Sequence, residues 1–366
     1  MKKYFAIIFA CFLLINTTVF AQMLMQPYIQ AVDMTSAVIM VESESTAPIF
    51  VQYRFAGDEF WVIAQTTSTR IAEQKRGESY VHRIKLVALD TNAKYQYRAI
   101  YKKDTTEIFE FYTAARPGES FRFLAMGDSR SFPKIHNVIA GEALKRQPRM
   151  SVYTGDLCMN HQYSSWKDEF FVENQLRLAA SAPFYNAIGN HEDWRQNTRA
   201  FLEAPKSESG EEYFYSFDYG DVHFLILSTE HGVTPGSKQW RFAQTDLGNT
   251  DRKWKVVVFH IPAYCFGGHD GNKRMQRMTT EIFEPAGVDL IFNGHSHFYQ
   301  RNFTGGIHHV IVAGAGAPLY TPKKGDITVK TAKEYNYAIV DASPNKLEMN
   351  VYDMYGNVLD SLTLEK

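Results

Sequence analysis

Cysteine is scarce in this 366-residue chain: Cys11, Cys158 and Cys265 are its only thiols. So few cysteines exclude a small disulfide-stapled scaffold. Cys158 and Cys265 each lie just after candidate site residues. A bridge between them is one reading, and two small buried hydrophobic side chains is the other. Charge of one sign is lacking as well. Lys and Arg number 39 against 40 Asp and Glu, a formal net charge of −1, so no overall field recruits nucleic acid or an anionic membrane surface. Beyond Ile15 no apolar run is long enough to cross a bilayer. Internal repeats and low-complexity stretches are missing too, which excludes solenoids and extended linkers. What the chain has instead is core. Hydrophobic residues make up 45% of it, ample for folded domains, and the length suggests two of them.

The first residues have the layout of an export signal. Met1-Lys2-Lys3-Tyr4 is a basic opening, and Phe5 to Ile15 is an apolar stretch broken by Asn16-Thr17-Thr18. Val19-Phe20-Ala21 then places a small residue before a cut ahead of Gln22. Residues 1–21 are therefore expected to be removed, and the mature chain to be secreted or periplasmic. Lipid attachment at Cys11 and retention as an uncleaved anchor are the alternatives, and Phe9 fits the first badly.

From Met23 to about Ala115 the pattern is all β. Ser36–Val41, Ile49–Arg54, His82–Leu86 and Lys94–Tyr101 are short runs rich in β-branched and aromatic residues, separated by turn formers such as Ala56-Gly57-Asp58 and Asp90-Thr91-Asn92. Such a pattern predicts a sandwich of about seven strands over residues 22–116. No ligand cluster sits in it. Ala115-Arg116-Pro117-Gly118 reads as a linker.

After the linker, strands alternate with helices. Strands are expected at Phe121–Met126, Met150–Thr154, Pro183–Ile188, Lys253–Phe259 and Val288–Ile291, with a Tyr213–Leu227 hairpin turning at Gly220-Asp221. Helices are expected at Lys134–Lys145, Lys238–Leu247 and Arg274–Phe283, and one over Ser165–Ala180 capped by its serine. The tail returns to β. Residues 117–366 are thus an α/β domain in which two mixed sheets face each other under outer helices, an α/β/β/α sandwich.

The chemistry collects at strand ends. Asp128 follows Phe123–Gly127, Asp156 follows Val152–Gly155, Asn190-His191-Glu192 follows Ala187-Ile188-Gly189, His260 follows Val256–Phe259, and His295-Ser296-His297 follows Phe292-Asn293-Gly294. Ligands of α/β sheets bind beyond the carboxyl ends of strands. A glycine precedes four of these five positions, so the backbone can lie close to an ion. Carboxylates mixed with imidazoles suit two divalent or trivalent ions sharing one carboxylate.

In that order, Gly127-Asp128, Gly155-Asp156, Gly189-Asn190-His191-Glu192, His260 and Gly294-His295-Ser296-His297 resemble the calcineurin-like metallophosphoesterase superfamily. The preceding sandwich, which resembles a fibronectin type III domain, and the trailing Phe298-Tyr299-Gln300-Arg301 make the purple acid phosphatase branch the best match. The resemblance implies that Asp156 bridges two metal ions (iron, zinc or manganese). Asn190, His260 and His295 would complete one ion's ligands, and Asp128 and His297 would hold the other. His191 would face the substrate, and His269, in Phe266-Gly267-Gly268-His269-Asp270-Gly271, would be a proton donor.

Two positions depart from the pattern. Arg130 stands where the superfamily usually has a histidine ligand, and Met159 where the purple enzymes have a tyrosine. No purple colour is then expected. His136 and His161 are the nearest candidates to replace the missing ligand, and Arg130 is a candidate to grip a phosphate oxygen. The resulting expectation is an exported hydrolase of small phosphate monoesters, using a hydroxide ionised by two metals. A phosphodiesterase acting on nucleotides, glycerophosphodiesters or lipid headgroups is one alternative, and a non-catalytic binding protein with a degenerate metal site is the other.

Overall fold

The structure is a computed structural model, and it describes residues 23–366. The expected signal lies outside the described residues. Two β-sheets open the fold. Tyr28–Gln30, Ala37–Ser43, Glu78–Leu86 and Ser68–Glu73 form one, in that order. Val62–Gln65, Phe50–Phe55, Lys94–Tyr101 and Asp104–Thr105 form the other, with Phe109–Tyr112 also paired to Lys94–Tyr101. Ile39, Val41 and Ile84 from the first sheet meet Val51, Tyr97, Ala99 and Tyr101 from the second in a buried core. Every second residue of Lys94–Tyr101 is buried, the period of a strand with one face inward.

A six-stranded and a seven-stranded sheet follow. The six-stranded sheet runs Phe184–Asn186, Met150–Tyr153, Phe121–Met126, Asn336–Ser343, Lys346–Asp353, Val358–Glu365, and its first three strands are parallel. The seven-stranded sheet runs Tyr215–Tyr219, Val222–Ile226, Trp254–Val258, Leu290–Asn293, Ile307–Val312, Tyr299–Thr304, Thr328–Ala332, with a parallel centre. Phe123, Val152, Phe224, Val256, Phe292 and Val310 face each other between the sheets, and the Phe123 ring meets Phe224 edge-on at 5.3 Å. The alternate residues face outward. Leu124 and Tyr153 lie under the Pro133–Lys145 and Glu173–Ser181 helices, and Val257 and Ile291 under Lys238–Asn249 and Lys273–Met278. Burial on both faces is why the central strands read as continuous apolar runs.

The sandwich does not stand apart from this body. Met25, Tyr28, Met40 and Val81 belong to the same apolar cluster as Leu178, Phe184 and Phe201. Tyr28 donates its hydroxyl proton to Phe201 O (2.9 Å), Tyr97 to Ala180 O (2.8 Å) and Tyr185 to Val32 O (2.8 Å). Arg83, only 3% exposed, donates to the carbonyls of Arg199, Ala200 and Leu202 and pairs with Glu203 at 2.5 Å.

Three expectations need correction. Among the described residues the sandwich has nine strands instead of about seven. The Trp61–Glu73 stretch folds as two short strands, and their side chains are largely exposed, so they carry no clean alternation. The single helix over Ser165–Ala180 is broken: a π-turn at Trp166–Phe170 buries both end residues, and a new helix runs Glu173–Ser181. Ser165 is not its cap, because its hydroxyl is spent on Asn160 Oδ1 (2.9 Å). Lys273–Met278 likewise gives way to a π-turn at Thr279–Phe283.

Candidate metal centre

Each candidate ligand leaves the carboxyl end of a strand, and the loops meet where the two sheets meet. Gly155 has φ of +93°, and a Cβ there would lie 2.7 Å from His260 Nδ1. A Cβ on Gly294 would lie 2.5 Å from Asp128 Oδ2 and 2.7 Å from Thr154 O. The backbones approach too closely for any side chain, which is the physical content of the glycine pattern. Asp128, Asp156 and His295 themselves sit at φ of 58°, 54° and 69°. Left-handed backbone at non-glycine residues is costly and persists where the surroundings enforce it. Here Asp128 accepts from His295 N (3.0 Å to each carboxylate oxygen), and Asp128 N donates to Gly155 O (2.9 Å).

Asn190, His260, His295 and Asp156 converge. His260 Nδ1 lies 2.8 Å from Thr154 O. A carbonyl only accepts, so this nitrogen carries the ring proton and Nε2 presents a lone pair. That lone pair faces Asn190 Oδ1 at 3.0 Å, Asp156 Oδ1 at 3.3 Å and His295 Nδ1 at 3.3 Å, and His295 Nδ1 is 3.0 Å from Asn190 Oδ1. Donors about 2.1 Å from an octahedral ion stand roughly 3 Å from one another. The set therefore fits a cation, and Asp128, Asp156 and His260 also place ligand atoms within 4.8 Å of one another.

The electrostatics agree. Burial works against the charge of Asp156, but His260, His191 and Arg130 hold its carboxyl below the usual range. Burial pulls His260 down, yet Asp156 and Asp128 hold it above its ordinary value. Burial, then His260, pushes His295 down to about 3, which keeps it neutral and able to ligate.

The other side of Asp156 is different. Its Oδ2 accepts from Arg130 Nε at 3.2 Å, and Arg130 Nη2 lies 3.3 Å from His297 Nε2. Asp128 Oδ1 is 3.4 Å from the same His297 nitrogen. The ligands implied for a second ion thus surround a guanidinium. His191 sits at the rim, with Nδ1 2.8 Å from Met159 O and Nε2 3.8 Å from Asp156 Oδ2. His269 is exposed, its ring 4.2 Å from that of His295.

Neither proposed replacement ligand joins the cluster. His136 is buried against the Phe170 ring, where burial pushes it down to about 4. His161 lines a separate cavity with Glu73, Tyr163 and Asn197. Cys158 and Cys265, the cysteines among the described residues, are free, and their thiols are spent on Asn160 O and Gly267 O.

Several contributors escaped the sequence reading. Tyr320 stacks on His297 with ring centroids 4.3 Å apart. Pro318 O orients His297 by accepting from Nδ1 at 2.8 Å. Glu169 Oε2 accepts from both Ser131 N (2.8 Å) and Met159 N (3.0 Å), tying two site loops together. The available signal was position: residues 313–320 follow the Ile307–Val312 strand, which is parallel to Leu290–Asn293.

Paired sheets with carboxylate, amide and imidazole donors at their shared rim define a metallophosphoesterase. The comparisons agree: a family model described as Calcineurin-like phosphoesterase matches residues 121–299. Purple acid phosphatase 18 of Arabidopsis thaliana is 25% identical, over 74% of this chain and 64% of its own length. Acid phosphatase type 7 of Danio rerio is also 25% identical, over 90% of this chain and 88% of its own length. Among solved structures, one titled "Structure of PhoD" superposes with a TM-score of 0.67 at 11% identity, covering 92% of both chains, which is a likeness of fold. Residues 121–299 thus match a calcineurin-like phosphoesterase domain, and the chain as a whole is similar to purple acid phosphatases.

Proposed function

We propose that the chain is an exported, metal-dependent hydrolase of small phosphate monoesters. The observation that carries the reading is the cluster in which Asn190 Oδ1, His295 Nδ1 and Asp156 Oδ1 each lie 3.0–3.3 Å from His260 Nε2. These residues would hold an ion, which would supply Lewis-acid chemistry toward a phosphoryl oxygen and a bound water.

The chain's own groups supply the remaining steps. Arg130 has five N–H donors. Four partners take them up: Asp156 on Nε, Ser131 and Met159 on Nη1, His297 on Nη2. One Nη2 proton is left to donate to a phosphoryl oxygen. His191 donates from Nδ1 to Met159 O, so a second proton on Nε2, 3.8 Å from Asp156 Oδ2, can pass to the leaving oxygen. His269 and Tyr320 flank the same mouth, their rings 5.3 Å apart.

Export rests on the layout of residues 1–21, and the division of labour between residues 22–116 and 117–366 is part of the same proposal. Among the described residues no helix is long and apolar enough to cross a membrane.

The test is hydrolysis of p-nitrophenyl phosphate and bis-p-nitrophenyl phosphate by chelator-stripped protein refilled with zinc, manganese or iron. Monoester turnover is expected, dependent on added metal and nearly abolished by His295→Ala with the fold intact by circular dichroism. Faster diester turnover would move the assignment to phosphodiesterase. No turnover of either, with metal still bound, would make the chain a binding protein.

A further inference from the structure

We infer that the Arg130 guanidinium takes the place of one of the two metal ions, so that the centre holds a single ion beside a permanent organic cation. The inference rests on the metal-centre reading above and concerns its composition.

The two halves of the site differ in what they lack. Around His260 Nε2 the lone pair faces two acceptor oxygens, Asn190 Oδ1 at 3.0 Å and Asp156 Oδ1 at 3.3 Å, the second of which also accepts from His191 N at 3.1 Å. Around His297 Nε2 the need is already met. His297 Nδ1 gives its proton to Pro318 O at 2.8 Å, so in the neutral ring Nε2 is an acceptor, and Arg130 Nη2 donates to it at 3.3 Å. Asp156 divides its oxygens in the same way: Oδ1 faces His260 at 3.3 Å and Oδ2 accepts from Arg130 Nε at 3.2 Å. A second cation at the arginine side would have to displace a guanidinium that is only 9% exposed and already hydrogen-bonded to Asp156 and His297.

The guanidinium is also held from behind. Nη1 donates to Ser131 Oγ at 3.1 Å and contacts Met159 Sδ at 3.5 Å. The Ser131 and Met159 backbones are pinned by one carboxylate, Glu169. Arg130 and Met159, the two positions at which this chain departs from the expected ligand set, are therefore in contact. A thioether ligates hard ions poorly, but it is a compatible neighbour for a guanidinium. One exchange fills the space with a cation, and the other removes an oxygen that would have drawn a metal. The residues of that half do not fit an ion while Arg130 stands there.

The experiment counts ions. Stripped full-length protein is refilled with Mn2+, dialysed, and measured by elemental analysis and electron paramagnetic resonance. One equivalent per chain with an uncoupled spectrum is expected for the parent. Arg130→His and Arg130→Gln are expected to approach two equivalents, and the histidine variant to show the exchange coupling of adjacent ions. Two equivalents or a coupled spectrum in the parent would overturn the inference. So would a single equivalent in both variants, provided their circular dichroism matches the parent. No bound ion in the parent would overturn the metal-centre reading itself, and this inference with it.

Discussion

Gly294→Ala is the sharpest probe of how the site is assembled. The added methyl would lie 2.5 Å from Asp128 Oδ2, 2.7 Å from Thr154 O and 2.9 Å from His260 Nδ1. Ordinary contacts begin near 3.4 Å, so these neighbours must retreat by about half an ångström to one ångström. None is the free end of a flexible chain. The Asp128 carboxylate is held by His295 N, and Thr154 O holds the His260 ring at 2.8 Å. Overpacking of this kind costs about 1–3 kcal/mol of stability. Opening the hydrogen bond that orients a ligating histidine costs about 10- to 100-fold in metal affinity or activity. Chelator competition for bound zinc, urea unfolding and monoester hydrolysis should register all three losses together. Metal affinity and turnover within twofold of the parent would refute the argument that backbone closeness sets the ligand geometry.

Other perturbations test the surrounding fold. Gly248 lies in the Lys238–Asn249 helix with nothing within 4 Å of a would-be Cβ, so Gly248→Ala should stabilise by about 0.5–1 kcal/mol in urea unfolding and leave metal binding unchanged. Arg83→Met leaves three buried carbonyls without this donor and Glu203 with only the longer Arg70 contact at 3.7 Å. It should cost about 3–5 kcal/mol, and a loss under about 1 kcal/mol in urea unfolding would mean the interface is incidental. Burial alone would lower the pKa of His223, but hydrogen bonds to Asp218 and Asp246, each 2.7 Å, raise it to about 9. That stabilisation is complete below the unfolded value of 6.5 and is lost as pH rises through about 9. The parent should lose roughly 2–3 kcal/mol across this window, allowing for solvent around Asp218, and His223→Gln should show no such loss. Parallel pH profiles of the two proteins would contradict this.

The convergence of the candidate ligands was legible because they are side chains placed directly after apolar strands, each position marked by a residue type with few other reasons to be there. Thr154 O and Pro318 O orient His260 and His297 as strongly as any side chain could. A backbone carbonyl has no signature in sequence, so these were invisible. Arg130 was legible as an anomaly but not as a contact. Whether its side chain turns toward Asp156, 26 residues away, or out to solvent is decided by the Ser131 and Met159 loops that Glu169 holds. Glu169 in turn sits in the π-turn that breaks the expected Ser165–Ala180 helix, so the missed break and the missed second layer of the site have one cause.

The seam between sandwich and catalytic half also has a consequence in time. Tyr28 and Arg83 are made early in synthesis, and the carbonyls they bind, at Phe201 and at Arg199, lie 173 and 116 residues further along. At about 5–20 residues per second, the face that carries them waits roughly 6–35 s for its partner. During that interval Met25, Tyr28, Met40 and Val81, all buried in the finished protein, have nothing to cover them. The sandwich is thus synthesised in full before the residues that cover this face exist. The nascent protein passes through a stage in which an apolar face belongs to a domain that is otherwise finished.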